Sequence, residues 1–269
     1  MRRGGFGVAA TLTAAQRRAQ ICELLKEGKP LAVAGLSEGF GVSEMTVRRD
    51  LASLEAERKL RRTRGGAEPL RTEEYEPFFH LRAKENAQEK AVIGKMAAAL
   101  VNDGEVIIVD VGTTLLECVR NVGRTKQVTV ITNWIPNVLE LVKYPNIRIV
   151  TLGGTVRGSE LSLVGGMTSD LLAGFNPDKA FLGVGGVSIE KGLTDYNMDE
   201  IEVKRAMIRA ARQTIVLADH SKIDRVAPVR IGPLSSIHVL VTDAGTAERQ
   251  CEALLSAGVN VVVATEQEG

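Results

Sequence analysis

From residue 105 onward the chain carries seven short apolar runs: EVIIVD, VTVIT, IRIVTL, KAFLGV, TIVLAD, IHVLVTD and VNVVVA. Each is rich in β-branched residues and nearly continuous in apolar character, as a strand buried on both faces must be. Helical patterns of roughly ten residues separate most of them, which predicts a mostly parallel sheet with helices on both sides. A Rossmann-like α/β domain over residues 89–265 follows. In such sheets ligands sit beyond the carboxyl ends of the strands.

The residues after each strand are therefore the candidate ligand site. The first strand is followed by Asp110-Val111-Gly112-Thr113-Thr114 at the start of a helix, and the second delivers Thr132 and Asn133. The third delivers Gly153 and Gly154, the fourth Gly185 and Gly186, and the fifth Asp219 followed by Ser221 and Lys222. Glycine permits close backbone approach, the Thr113 and Thr114 hydroxyls donate, and the free N–H groups of a helix start favour an anion such as phosphate. The same residues also suit a helix that follows a strand without any ligand. Lys222 either neutralises a phosphate or covers the surface. No Gly-Lys-Ser/Thr follows the GTT segment, and Ser188 occupies the last position of a would-be GxGxxG, so neither a Walker A loop nor a dinucleotide site is supported. Glu200 and Lys204, four residues apart on a helix, suit a surface ion pair, and Asp199, Glu200 and Glu202 suit the helix start.

The 269 residues exceed one domain of this size, and charge divides them. The overall net charge is +1. Residues 1–71 carry 14 basic and 8 acidic side chains, a local +6, while the remainder carries 20 and 25, a local −5. A basic end on a near-neutral chain points to a polyanionic partner. Within it, Ile21, Leu24 and Leu25 suit one face of a helix, and Leu31, Val33 and Leu36 suit a second, shorter one before Gly39 and Gly41. Ser43 is placed to cap a third helix, SEMTVRRDLASLEAE, whose Val47, Leu51 and Leu54 form one stripe, opposite Met45, Thr46, Arg49, Ala52 and Ser53. Five of the seven residues 58–64 are basic, and Gly65-Gly66 suggests a hairpin turn between short extended runs. Such a helix, turn, helix and basic wing suits duplex DNA. Arg48, Arg49, Arg61, Arg62 and Arg64 are candidates mainly for phosphates, with Thr46 and Arg49 the better candidates for base edges.

No apolar run approaches the roughly 20 residues of a membrane span. Cys22, Cys118 and Cys251 are far apart and show no metal spacing, and His80, His220 and His238 are isolated in sequence. The opening MRRGGFGVAATLTAAQ lacks a secretory apolar region. A cytoplasmic protein without membrane association, metal or cofactor is expected.

These residues also carry a family resemblance. KPLAVAGLSEGFGVSEMTVRRDLASLEAERKLRRTRGGA resembles the helix-turn-helix signature of the DeoR family of bacterial transcriptional regulators. Gly35 and Gly39 depart from it where longer polar residues are usual, and Arg58 where a glycine is usual. VDVGTT, ITN, LGG, SLVGG, KAFLGVGGV, GLTDYNMDEIEVKRAMI and ADHSKI resemble the family's effector domain. The resemblance implies a winged helix-turn-helix domain (13–71), a linker (72–88) and a sensor domain related to sugar-phosphate isomerases. It also implies a repressor of carbohydrate metabolism, bound to double-stranded operator DNA as a homo-oligomer, dimer or tetramer, and controlled by a phosphorylated sugar. The alternative is an isomerase with a DNA-binding appendage. Where the isomerases keep paired carboxylates this chain has Gly183, Val184, Gly185 and Gly186, which removes the acid–base apparatus.

Overall fold

The computed structural model describes residues 12–25, 30–56, 59–68, 79–158 and 160–265. The chain divides into two units, Met1–Pro77 and Phe78–Gly269. The first part of the expected linker, 72–78, lies outside the described residues.

The first unit contains α1 (Ala14–Leu25), β1 (Leu31–Ala32), α2 (Val33–Phe40), α3 (Glu44–Ala56), β2 (Arg61–Thr63) and β3 (Gly66–Glu68). Thr13 starts α1 with a capping box: its N–H donates to Gln16 Oε1 (3.0 Å), and Gln16 N–H donates to Thr13 Oγ1 (3.3 Å). Ile21, Leu25, Leu36, Val47, Leu51, Leu54 and Leu60 close one small apolar core. A buried ion pair, Arg17 Nε to Asp50 Oδ2 at 2.8 Å, ties α1 to α3. Gly41 ends α2 in the left-handed conformation (φ 63°), where glycine has no steric penalty.

Two local expectations are corrected. Leu31 does not belong to the second helix: β1 pairs with β3, and Val33 N–H donates to Gly65 O at 2.9 Å. A two-residue strand is too short to show its period in sequence. The wing's turn is Arg64-Gly65, not Gly65-Gly66, because Thr63 pairs with Gly66. Gly66 is needed in the strand itself, since a Cβ there would lie 1.8 Å from Leu31 O.

The second unit opens with α4 (Phe79–Arg82) and α5 (Ala87–Ala99), followed by β4 (Val106–Val109), α6 (Thr113–Thr125), β5 (Val128–Thr132), α7 (Ile135–Leu141) and β6 (Ile147–Thr151). Next come the hairpin β7 (Thr155–Arg157) and β8 (Ser162–Val164), α8 (Gly166–Leu172) and β9 (Lys179–Gly183). Then follow β10 (Gly186–Ser188), β11 (Gly192–Asp195), α9 (Met198–Ala210), β12 (Gln213–Leu217), β13 (Val229–Gly232), β14 (Val239–Asp243), α10 (Glu248–Ser256) and β15 (Asn260–Ala264).

All seven long runs enter one parallel sheet, in the order β15-β14-β12-β9-β4-β5-β6. Alternate residues of its strands serve two separate cores. Ile107, Val109, Phe181, Ile215 and Val241 pack with Ile93, Leu115, Val119 and Val122 of α5 and α6. Ile108, Leu182, Val216 and Leu240 pack with Leu172, Val203, Met207 and Leu254 of α8, α9 and α10. Phe79, in the stretch expected to be linker, meets Trp134 edge to face with ring centroids 6.0 Å apart. Sequence periodicity did not anticipate the small antiparallel sheet β10-β11-β13, into which Gly186 leads.

Two glycines predict opposite responses to alanine. Gly35 in α2 has no atom within 4 Å of where a Cβ would stand. Gly35→Ala should therefore stabilise by about 0.5–1 kcal/mol. At Gly94, where α5 meets α6, a Cβ would lie 2.5 Å from Glu117 Cβ and 2.6 Å from its carbonyl carbon. Gly94→Ala should cost about 1–3 kcal/mol in denaturant unfolding.

Candidate functional site

The basic face of the first unit is built on α3. Ser43 Oγ accepts from Thr46 N–H (3.2 Å) and lies 3.0 Å from Thr46 Oγ1. This places Ser43 and Thr46 in the helix cap, where the Thr46 hydroxyl is already engaged, and not free on the outward face. Sequence periodicity gives a side chain's direction but not its local bonding. Three of the expected phosphate contacts are paired within the unit: Arg48 with Glu44 (3.3 Å), Arg61 with Glu68 (2.5 Å) and Arg62 with Glu55 (3.7 Å). Among the described residues Arg49 and Arg64 are exposed and make no ion pair. Glu55 and Glu68 reach their arginines across a turn and a ladder, a proximity no sequence period announces.

In the second unit the carboxyl ends of β4 and β5 meet as expected, held by a residue that sequence reasoning missed. Asn137, fully buried in α7, donates through Nδ2 to Asp110 O (3.1 Å) and to Thr132 Oγ1 (3.1 Å). Its Oδ1, like that of Asn133, is buried without a hydrogen-bond partner. Buried acceptors of this kind are ordinarily satisfied by ordered water. The available signal was the four-residue spacing of Asn133 and Asn137 at the start of a helix.

α6 begins beside them. Gly112, its N-cap (φ 150°), provides no side-chain cap. α5, α7 and α8 likewise lack a side-chain cap, while Asn197 caps α9 by accepting from Asp199 N–H and Glu200 N–H. The Thr113 and Thr114 hydroxyls, each residue 8% exposed, bond to no other group among the described residues. The start of α6 thus keeps its backbone donors and two hydroxyls uncommitted, the arrangement that receives an anion.

Asp110 has a different part from the one expected. Its carboxylate, 1% exposed, forms an ion pair with Lys204 Nζ and accepts from Gly183 N–H at 3.2 Å. Lys204 also donates to Gly183 O (2.9 Å) and lies 3.4 Å from Asp195 Oδ2. Glu200 pairs with Arg157 (2.8 Å) and accepts from Ser162 Oγ (2.5 Å). The expected surface pair Glu200–Lys204 is therefore incorrect: both are buried, and each has its own partners. Helical spacing cannot tell a solvated face from one covered by a hairpin. Burial opposes the charged Lys204 amine, but Asp110, Asp195 and Glu200 together raise its pKa. Burial pushes the Asp110 carboxyl up more than Lys204 holds it down, as expected when three carboxylates share one ammonium. Burial would also raise Glu200, but Lys204, Arg157 and Ser162 bring it below its ordinary value.

The remaining expected residues are spread over neighbouring strands. Gly153 O accepts from Thr168 Oγ1 (2.7 Å), and Gly154 (φ 144°) has no room for a Cβ, which would lie 2.1 Å from that hydroxyl oxygen. Gly185 packs against Tyr196, and Gly186 enters β10. Lys222, after β12, belongs to a second cluster around Asp219. Asn86 Nδ2, before α5, donates to Asp219 (3.0 Å), and so does Ser221 N–H (3.0 Å). Burial lowers the Lys222 pKa against the pull of Asp219, and Arg225 and Arg82 lower it further. Burial likewise lowers Lys90, which Asp219 raises and Lys222 lowers. His220, isolated in sequence, meets Asp243 at 2.8 Å in the fold. Among the described residues no group of three His, Cys, Asp or Glu could hold a metal, and no helix is long and apolar enough to cross a membrane.

A winged helix-turn-helix unit followed by an α/β unit with a parallel sheet is the architecture of a DNA-binding regulator with a sensor domain. Residues 17–73 match the DeoR-like helix-turn-helix domain, and residues 85–244 match the DeoR C terminal sensor domain. The chain belongs to the DeoR family of transcriptional regulators. It is 34% identical to the HTH-type transcriptional repressor GlcR of Bacillus subtilis over 254 residues, 94% of this chain and 98% of that one. It is 32% identical to the HTH-type transcriptional regulator GolR of Listeria innocua over 228 residues, 85% and 90% of the two chains. These relatives are regulators by name, and the chain is a regulator rather than an isomerase. A ribose 5-phosphate isomerase of Methanocaldococcus jannaschii is 22% identical, with a TM-score of 0.39 over 52% of this chain and 55% of its own. That likeness is too low to bear on the site or its chemistry.

Lys204→Met should leave the Asp110 carboxylate buried beside Asp195 and Glu200 without its ammonium partner. A loss of about 3–5 kcal/mol in unfolding free energy at neutral pH is expected. The deficit should shrink on acidification, because the unpaired Asp110 binds its proton at higher pH when folded than when unfolded. Denaturant titrations at pH 7 and pH 5 read both effects.

Proposed function

We propose that this protein is a cytoplasmic repressor of a carbohydrate-metabolism operon, whose affinity for its operator is set by a phosphorylated sugar bound in the second unit. The uncapped start of α6, with the free hydroxyls of Thr113 and Thr114, carries this reading. It supplies directional donors for a phosphate. Lys222, whose pKa burial lowers from its ordinary value, adds a cation. The repressor assignment is supported by GlcR and by a putative aga operon transcriptional repressor of Escherichia coli, 31% identical over 253 residues.

On DNA, α3 enters the major groove and the β2–β3 wing follows the backbone. Arg49 and Arg64 are free for immediate contact, and Arg48, Arg61 and Arg62 exchange their glutamates for phosphates. A palindromic operator calls for two half-sites, so the bound form is a homo-oligomer, a dimer or tetramer.

Calorimetry with hexose and pentose phosphates tests the sensor. Thr113→Ala and Lys222→Ala should each weaken binding by about tenfold or more, the loss of charge-assisted hydrogen bonds. Unchanged affinity in both would exclude this site. Binding should also be linked to pH. The free-state pKa of Lys222 lies below 10.5, and a bound anion should raise it. Affinity for a fully ionised sugar phosphate should therefore fall as pH rises through the free-state value, and a flat profile would exclude Lys222 from the phosphate site.

A further inference from the structure

Met45 is 64% exposed, the most exposed large apolar side chain of the first unit among the described residues. It stands in the first turn of α3, two residues after the Ser43 cap. At roughly 100° per residue, Met45 and Arg49 lie within about 30° of the line directly opposite the Val47, Leu51 and Leu54 face. Glu44 and Arg48 lie to one side, paired with each other at 3.3 Å. On the other side the Thr46 hydroxyl is engaged at the helix cap. The outermost ridge of the helix's first two turns is thus one apolar and one cationic side chain, with the small Ala52 behind them. The N-terminal turns are also the part of a recognition helix that reaches base edges.

In the major groove the C5-methyl of thymine is the one apolar group on a base edge. A methionine, unbranched and adaptable, can follow that methyl over a range of positions. We infer that Met45 selects thymine in each operator half-site by packing its thioether chain on the C5-methyl, with Arg49 contacting the neighbouring base or phosphate. The inference rests on the reading of α3 as the helix that enters the groove, and replaces Thr46 with Met45 as a base reader. Water excluded between the thioether and the methyl supplies the preference, and no hydrogen bond is needed.

The test uses the full chain. Duplexes are selected from a random double-stranded pool, and each thymidine of the selected duplex is then replaced in turn by deoxyuridine, which lacks only the methyl. At one position per half-site the wild-type protein should lose about fourfold in affinity, as for withdrawal of one buried methyl group. Met45→Ala should bind that duplex more weakly and show almost no difference between thymidine and deoxyuridine there. Since Met45 is exposed, its replacement should leave the melting temperature unchanged, so weaker binding cannot be mistaken for unfolding. If deoxyuridine is tolerated everywhere, or if Met45→Ala keeps the full methyl dependence, the inference is overturned while DNA binding by α3 stands. If no duplex is enriched from the pool, both the inference and the reading of α3 fall.

Discussion

The buried ammonium of Lys204 holds together the end of the sheet on which the sensor depends. It is 2% exposed, donates to Gly183 O and faces Asp110, Asp195 and Glu200 from the middle of α9. Through these partners one side chain joins β4, β9, β11 and α9. A buried charge is tolerated only when its partners are close and its protons are used. Lys204 meets that condition by crossing the gap between adjacent parallel strands, so the loop after β4 leaves the sheet in a fixed direction. Gly112 and the open start of α6 follow directly from that loop.

The same unit uses its helix starts in two ways. Asn197 closes the start of α9, and Asp219 Oδ1 accepts from Ser221 N–H in the short turn after β12. α6 has no such cap. Asn133 and Asn137 spend their amide nitrogens on Leu163 O, Asp110 O and Thr132 Oγ1, and leave their oxygens unpaired. Unpaired acceptors of this kind cost stability in a core unless ordered water completes them.

Electrostatics in the DNA-binding unit are similarly local. Its excess of arginine is partly neutralised by Glu44, Glu55 and Glu68, each within ion-pair distance of a residue on the basic face. Exposed pairs of this kind are weak. They leave the charges of that face exchangeable. Arg17–Asp50, by contrast, is buried and fixes α3 against α1. The outward face of α3 is thereby carried on a buried ion pair while its own charges remain exposed.

Periodicity in the sequence determined the seven parallel strands, the three helices and basic wing of the first unit, and the glycines and threonines that gather after the strands. Those features depend on local pattern and on burial along a single element, which adjacent residues encode directly. Only the tertiary structure decided which polar groups are free. It withdrew Thr46 into a cap, took Asp110 and Lys204 into a buried network, placed Leu31 in a strand and brought Asn137 against Asp110. The reason is physical: commitment of a donor or charge depends on partners distant in the chain, such as Asp110 and Lys204, and on what covers a face. Neither quantity has a period that a single helix or strand can display.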